Sequence, residues 1–143
     1  MQELLIITPV KDSIDHTIRT MEAVVQSELT VPHRYVVFND NSTPENTARL
    51  HAEGQRLGVE VVDLADLTEH PSPNYLFVLR RCRKEALAAN AGLLIVESDV
   101  TVQRDTLQKL YEGAKTRTDC GIAAAVTVDE EGKINYPYLY ARG

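Results

Sequence analysis

The sequence predicts an α/β protein, a three-layer α/β/α sandwich built around a mostly parallel sheet. Short apolar runs alternate along the chain with stretches of helical periodicity. The runs are continuous (LLII, VVF, LLIV) rather than alternating, as expected of strands covered on both faces. At this spacing the alternation implies parallel strands joined by right-handed crossovers, with helices on both sides of the sheet.

Glu3–Thr8 (ELLIIT) reads as the first strand, stopped by Pro9. Ile14, Ile18, Met21 and Val25 recur at helical spacing, and Asp12 or Ser13 is available as N-cap. His33–Phe38 is the second strand. Thr43 then caps a helix whose first turn suits Pro44, and Leu50, Gly54 and Leu57 carry it to a stop at Gly58. Val59–Leu64 is a third strand, and His70-Pro71-Ser72-Pro73 breaks the chain. A long helix follows through Leu79, Cys82, Ala86 and Ala89 to Gly92, leading into a fourth strand, Leu93–Val96. Leu107, Leu110, Tyr111 and Ala114 mark another helix, and Gly121–Val128 a fifth strand. Asp129, Glu130 and Glu131 before Gly132 read as a hairpin turn.

With 143 residues and 43% hydrophobic content, the chain is sized for a single domain, residues 1–143, with its own core. Fifteen basic residues against twenty-one acidic ones give a formal charge of −6. That balance argues against a nucleic-acid partner, which needs a basic face to displace phosphate counterions. No run is long enough to span a membrane and MQELLIITPV has no secretion-signal pattern, so a cytoplasmic location is expected. Cys82 and Cys120 match no metal-ligand spacing and read as buried free thiols.

In a parallel α/β sheet, ligands bind beyond the carboxyl ends of the strands. Three polar clusters fall there: Thr8-Pro9-Val10-Lys11-Asp12, Asn39-Asp40-Asn41-Ser42 and Glu97-Ser98-Asp99. Gathering these carboxylates at one edge is costly unless a cation or hydrogen-bond donors offset them. No glycine-rich phosphate loop is present. A phosphate ligand would therefore be met by a divalent cation, Mg²⁺ or Mn²⁺ on Asp99, and by arginines at the start of the long helix, Arg80, Arg81 and Arg83.

VVFNDNST (Val36–Thr43) resembles the V-V-D-D-G-S-T segment of family 2 glycosyltransferases of the Rossmann-like GT-A fold. IVESDV resembles that family's strand ending in D-x-D, LLIITPVKD its opening strand, and RKEALAANAG (Arg83–Gly92) its A-R-N-x-G-I-x-x-A-x-G helix. The four segments stand in the family's order across roughly residues 3–128. The resemblance implies an inverting transferase that moves a sugar from a nucleotide-diphosphate donor, commonly a UDP-sugar, to a hydroxyl of a glycan or lipid-linked acceptor. It places Thr8 and Pro9 at the start of the donor pocket, Asp40 on the nucleotide base and Glu97 on the ribose, with Ser98 beside it. Asp99 falls on the metal, and Arg83 near the base and phosphates.

The sequence departs from the pattern at Asn39 for the first aspartate of D-D, Asn41 for glycine, Glu97 for aspartate and Lys84 for asparagine. The acceptor-binding half that supplies the family's general base does not follow, so the domain reads as the donor half and no catalytic base is assigned. Homo-oligomerisation stays open.

Plainer readings stand beside these. Glu97 and Asp99 could end a strand, with Asp99 or Thr101 capping the next helix. Asp40 with Asn41 and Ser42 could be a helix-entry turn, and the arginines a solvated face. Tyr136, Tyr138 and Tyr140 could pack a core or stack on a sugar. A non-catalytic nucleotide-sugar-binding or assembly module of the same fold is the alternative function, favoured by Asn39 and Lys84. A nucleotidyltransferase is weaker, for want of a glycine-rich loop near the first strand.

Overall fold

The structure is a computed structural model and describes residues 2–117, 119, 121, 123–125 and 128–134. The chain forms two compact units, Met1–Gln108 and Lys109–Gly143. In the first, strands β1 (Glu3–Val10), β2 (His33–Asn39), β3 (Glu60–Asp63) and β4 (Ala91–Ile95) alternate with helices α1 (Ile14–Val25), α2 (Pro44–Leu57) and α3 (Tyr75–Ala88). All strand pairs are parallel, in the order β3-β2-β1-β4.

That order follows from the crossovers. From β1 the chain steps through β2 to β3 in one direction, so right-handedness puts α1 and α2 on one face. It then returns past β1 to β4, which puts α3 on the other. Leu5, Ile7, Val36 and Phe38 accordingly pack with Leu64 and with Val78 and Cys82 of α3 in one buried cluster. The opposite face meets the inward stripe of α1, Ile14, Ile18, Met21 and Val24. Val24, rather than the expected Val25, completes this stripe, because the turn beginning at Met21 brings position 24 inward. α2 lies close on β3 through Gly54, where an added Cβ would stand 2.6 Å from Val61 Cγ2.

Most boundaries fall where the sequence puts them, and the differences have local causes. β1 does not stop at Pro9 but runs to Val10. Its pairing with β4 ends at Ile7↔Ile95, while that with β2 continues to Val10↔Asn39. Residues alternate in the side toward which their backbone groups point, and Ile7 accepts from Val96 N on the β4 side. Pro9 therefore turns its missing N–H toward a side where no partner remains. α3 ends at Ala88 rather than Gly92: Asn90 takes the left-handed conformation (φ 52°), and Gly92 lies within β4. Leu64 begins a short 3₁₀ turn, Leu64–Asp66, rather than ending β3.

Helix α4 (Thr106–Lys115) follows β4 and starts too late for Asp99 or Thr101 to cap it. In the second unit, Val128 and Ile134 form an antiparallel bridge around a turn with Gly132 at φ 80°. Asp129 Oδ1 accepts from Glu131 N and Lys133 N there, making the expected hairpin turn. Of the fifth strand expected at Gly121–Val128, residues 121 and 123–125 are not in a strand and Val128 makes only the bridge to Ile134; the others lie outside the described residues. Cys120, Tyr136, Tyr138 and Tyr140 lie wholly outside them. Among the described residues, no helix is long and apolar enough to cross a membrane.

Candidate functional site

The sheet order reverses between β1 and β4, so the carboxyl ends of these two strands flank the topological switch point. Three connections meet at this edge. After β1 the chain passes through Asp12 and Ser13, both with positive φ, into α1. Ser13 makes no side-chain cap; its carbonyl accepts from Thr17 N and Oγ1 instead. The carboxylate of Asp12 reaches across to accept from Thr43 N (2.9 Å) and Asn46 Nδ2 (3.0 Å) at the start of α2. The hydrogen bond from Thr43 N, and then that from Asn46, hold the Asp12 carboxyl below the usual carboxylate range. In return, Asp12 N donates to Ser42 Oγ, and Asp40 N donates to Val10 O. The loops after β1 and β2 are thus stapled together.

Asp40 sits at the floor of this arrangement and is 8% exposed. Its Oδ2 accepts from Ser72 Oγ and Asn74 N, both at 2.8 Å, and its Oδ1 accepts from Asn74 Nδ2 at 2.9 Å. Desolvation pushes its carboxyl upward, but the Asn74 amide, the Asn74 backbone N–H, Ser72 and nearby Lys11 outweigh it. The net effect holds Asp40 ionised below its ordinary range. A carboxylate has about four acceptor positions. Three are used here, which leaves room on Oδ1 for one more donor.

Asn74, buried and N-terminal to α3, also donates to His70 O. The next residue, Tyr75, donates its hydroxyl to Glu97 Oε1 at 2.9 Å. Burial and then the Glu97 carboxylate raise the Tyr75 phenol above its ordinary pKa. The ends of β2 and β4 are therefore joined through two adjacent residues at the head of α3. Above Asp40 lies a hollow of about 220 Å³, bordered by Pro9, Val10, Lys11, Pro73 and Tyr75 among others.

The structure brings Asp40 and Pro9 to this hollow and ties Glu97 to it through Tyr75. Ser98 follows, half-buried, in a turn, with its carbonyl fixed by Thr20 Oγ1 of α1 at 3.0 Å. Asp99 is the exposed carboxylate of that turn and is not among the residues lining the hollow. Among the described residues, no three His, Cys, Asp or Glu side chains gather as metal ligands. A single hard carboxylate on an anchored turn still suits Mg²⁺ or Mn²⁺, which take much of their shell from water and substrate phosphates.

Two residues lie elsewhere. Thr8 is fully buried, and its hydroxyl shares a 2.7 Å hydrogen bond with Tyr35, whose phenol burial pushes up to about 12. Arg83 is exposed more than two turns into α3, about 12 Å along the axis from Tyr75. The helix starts at Tyr75, so Arg80, Arg81 and Arg83 lie well inside it rather than at its start beside the strand ends.

Asn39, where the family pattern has aspartate, is buried and donates from Nδ2 to Thr47 Oγ1 and Asp63 Oδ1, both at 2.9 Å. An amide rather than a carboxylate is needed against Asp63, whose other oxygen accepts from His51 Nε2. Ser72, Asn74 and Tyr75 were not expected at the site. The one sequence signal was an Asn just before a helix, a favoured N-cap.

The parallel sheet β3-β2-β1-β4 with helices on both faces is a Rossmann-like α/β fold, and it matches the GT-A fold of glycosyltransferases of known structure. The fold is similar to that of S. aureus TarS 1–349 in complex with UDP-GlcNAc (TM-score 0.54, 17% identity, 89% of this chain and 38% of that one). It is similar to the mannosyltransferase PcManGT from Pyrobaculum calidifontis in complex with GDP-Man and Mn²⁺ (0.57, 15%, 76% and 31%). It is also similar to the glucosyl-3-phosphoglycerate synthase from Mycobacterium tuberculosis with Mn²⁺, UDP and glucosyl-3-phosphoglycerate (0.54, 14%, 78% and 39%). The chain spans about a third of the length of these structures. No family model matches the sequence, and no curated protein matches it.

Proposed function

We propose that residues 1–143 act as one nucleotide-sugar-binding domain of a family 2-like, inverting glycosyltransferase. It would use a UDP-sugar in the cytoplasm and pass the sugar to a hydroxyl of a glycan or lipid-linked acceptor. The observation that carries this reading is the linkage Asp40–Asn74–Tyr75–Glu97, which ties two strand-end carboxylates to one crevice. Asp40, kept ionised by its donors, has one acceptor position left, which suits a single N–H such as that of a uracil ring. Glu97 accepts from ribose hydroxyls at the mouth, and Pro9 walls the hollow. Lys11 brings positive charge toward the diphosphate. Asp99 and Ser98 stand on the anchored turn, with Asp99 as the cation ligand. When bound, Mn²⁺ or Mg²⁺ supplies Lewis-acid stabilisation of the departing nucleoside diphosphate.

Titration of UDP with and without Mn²⁺ by calorimetry, on native protein and Asp99→Ala, tests the reading. Native binding should tighten with Mn²⁺ and lose that gain in the variant; equally weak, metal-independent binding by both sinks it. A second reading, a binding module without transfer, is favoured by Asn39, which is committed to Asp63 and Thr47. It expects nucleotide binding without donor-sugar hydrolysis or transfer.

A further inference from the structure

Glu97 is not an isolated carboxylate. Its Oε1 accepts from the Tyr75 hydroxyl, and Tyr75 itself borders the hollow above Asp40. Tyr75 is also the residue after Asn74, whose backbone N–H and side-chain amide are both held by Asp40. Its backbone is therefore fixed by the carboxylate assigned to the base, while its hydroxyl fixes the carboxylate assigned to the ribose. Glu97 belongs to a turn, with Val100 N donating to Glu97 O, and is exposed. Without a tether its side chain samples several rotamers, and a ribose hydroxyl must order it on binding. A glutamate at this position reaches the tyrosine with one methylene more than an aspartate has.

We propose that Tyr75 is a positioning residue that sets the ribose selectivity of the nucleotide pocket, by holding the Glu97 carboxylate at the mouth of the hollow. This rests on the nucleotide reading given above. The hydroxyl of Tyr75 occupies one acceptor position of Oε1 and leaves the second oxygen of Glu97 available. The tether makes recognition of the ribose hydroxyls preorganised. Burial first, and then the facing carboxylate, hold the phenol above its ordinary pKa, in the donor form.

The experiment compares UDP with 2′,3′-dideoxy-UDP, by calorimetry, in native protein, Tyr75→Phe, Glu97→Ala and the double variant. Phenylalanine keeps the ring, and Tyr75 is 39% exposed, so the single substitution leaves the fold intact. Native protein should prefer UDP. Tyr75→Phe should weaken UDP about two- to tenfold, the cost of ordering the freed Glu97 side chain on binding, and leave the dideoxy analogue unchanged. In the Glu97→Ala background the same change should have no further effect.

Equal weakening of both nucleotides, or additivity with Glu97→Ala, overturns the positioning role while leaving the nucleotide reading intact. No UDP binding by native protein removes both. A readout without nucleotide accompanies this. Alkaline difference spectra of native protein minus Tyr75→Phe isolate the Tyr75 phenol. Glu97→Gln should move its ionisation to lower pH, and an unmoved transition counts against the contact.

Discussion

Asp40→Asn tests the arrangement at its centre, since it keeps the shape and removes the charge. Three donors converge on the carboxylate: Ser72 Oγ, Asn74 N and Asn74 Nδ2. The Asn74 groups cannot accept in return. An asparagine oxygen placed toward Asn74 N points its own NH₂ at the Asn74 amide, and the flipped rotamer points it at the backbone N–H. One donor is left unpaired either way. Losing one hydrogen bond to a charged group costs about 2 kcal/mol, and weakening the remaining two to neutral bonds adds about 0.5 kcal/mol each. The sum is roughly 3 kcal/mol, which lowers the urea midpoint by about 1.5–2 M.

The pH profile carries a second signature. The native-state pKa of Asp40 is held below its unfolded value near 4. Its contribution is therefore complete above that value and disappears as pH falls through the folded one. Native protein should lose stability below about pH 4, and Asp40→Asn should show a shallower acid slope. Asp12, lowered by Thr43 and Asn46, acts in the same direction and contributes to the slope that remains. The double variant Asp40→Asn/Asn74→Asp restores complementarity between the side chains and should recover part of the loss. A destabilisation below about 1 kcal/mol for Asp40→Asn, with an unchanged acid limb, would refute the assignment of those three bonds.

Two further substitutions probe the frame around the site. Asn39→Asp sets a second carboxylate 2.9 Å from Asp63 Oδ1 in a buried position. It should destabilise by about 2–3 kcal/mol at pH 7 and by less at pH 5, because the crowded pair takes up a proton; paired urea titrations at the two pH values measure this. Gly54→Ala gains about 1 kcal/mol of helix propensity but drives Cβ to 2.6 Å from Val61 Cγ2 and 3.0 Å from Val59 O. A net loss of about 1–2 kcal/mol is expected by thermal denaturation. Gly113→Ala, which meets nothing within 4 Å on α4, should not lose stability.

The sheet was legible because its two central strands, β1 and β2, are buried on both faces and leave continuous apolar runs, as in Val36-Val37-Phe38, while the edge strands β3 and β4 are only half-buried. α2 was legible at both ends, since Thr43 accepts from Asn46 N and Gly58 adopts φ 70°. What misled was local chemistry that depends on a distant partner. Pro9 signals a stop unless it is known that β4 ends before reaching it. Asp12 reads as a cap for α1, but its carboxylate is taken by α2. The site follows the same division. Asp40 and Glu97 could be placed at a common edge by topology alone. That Asn74 and Tyr75 join them could not, because His70–Asn74 has no periodicity and its role is set by long-range contacts.

The unequal ends of β1's two partnerships matter beyond the placement of one proline. Past Ile7 the strand keeps company only with β2, so a notch opens where β4 falls away. Lacking an amide hydrogen at Pro9, the backbone there offers an intruding strand no donor, so a ladder cannot continue through it. A small molecule entering the notch has no ladder to break, and the wall it meets is already set before it arrives.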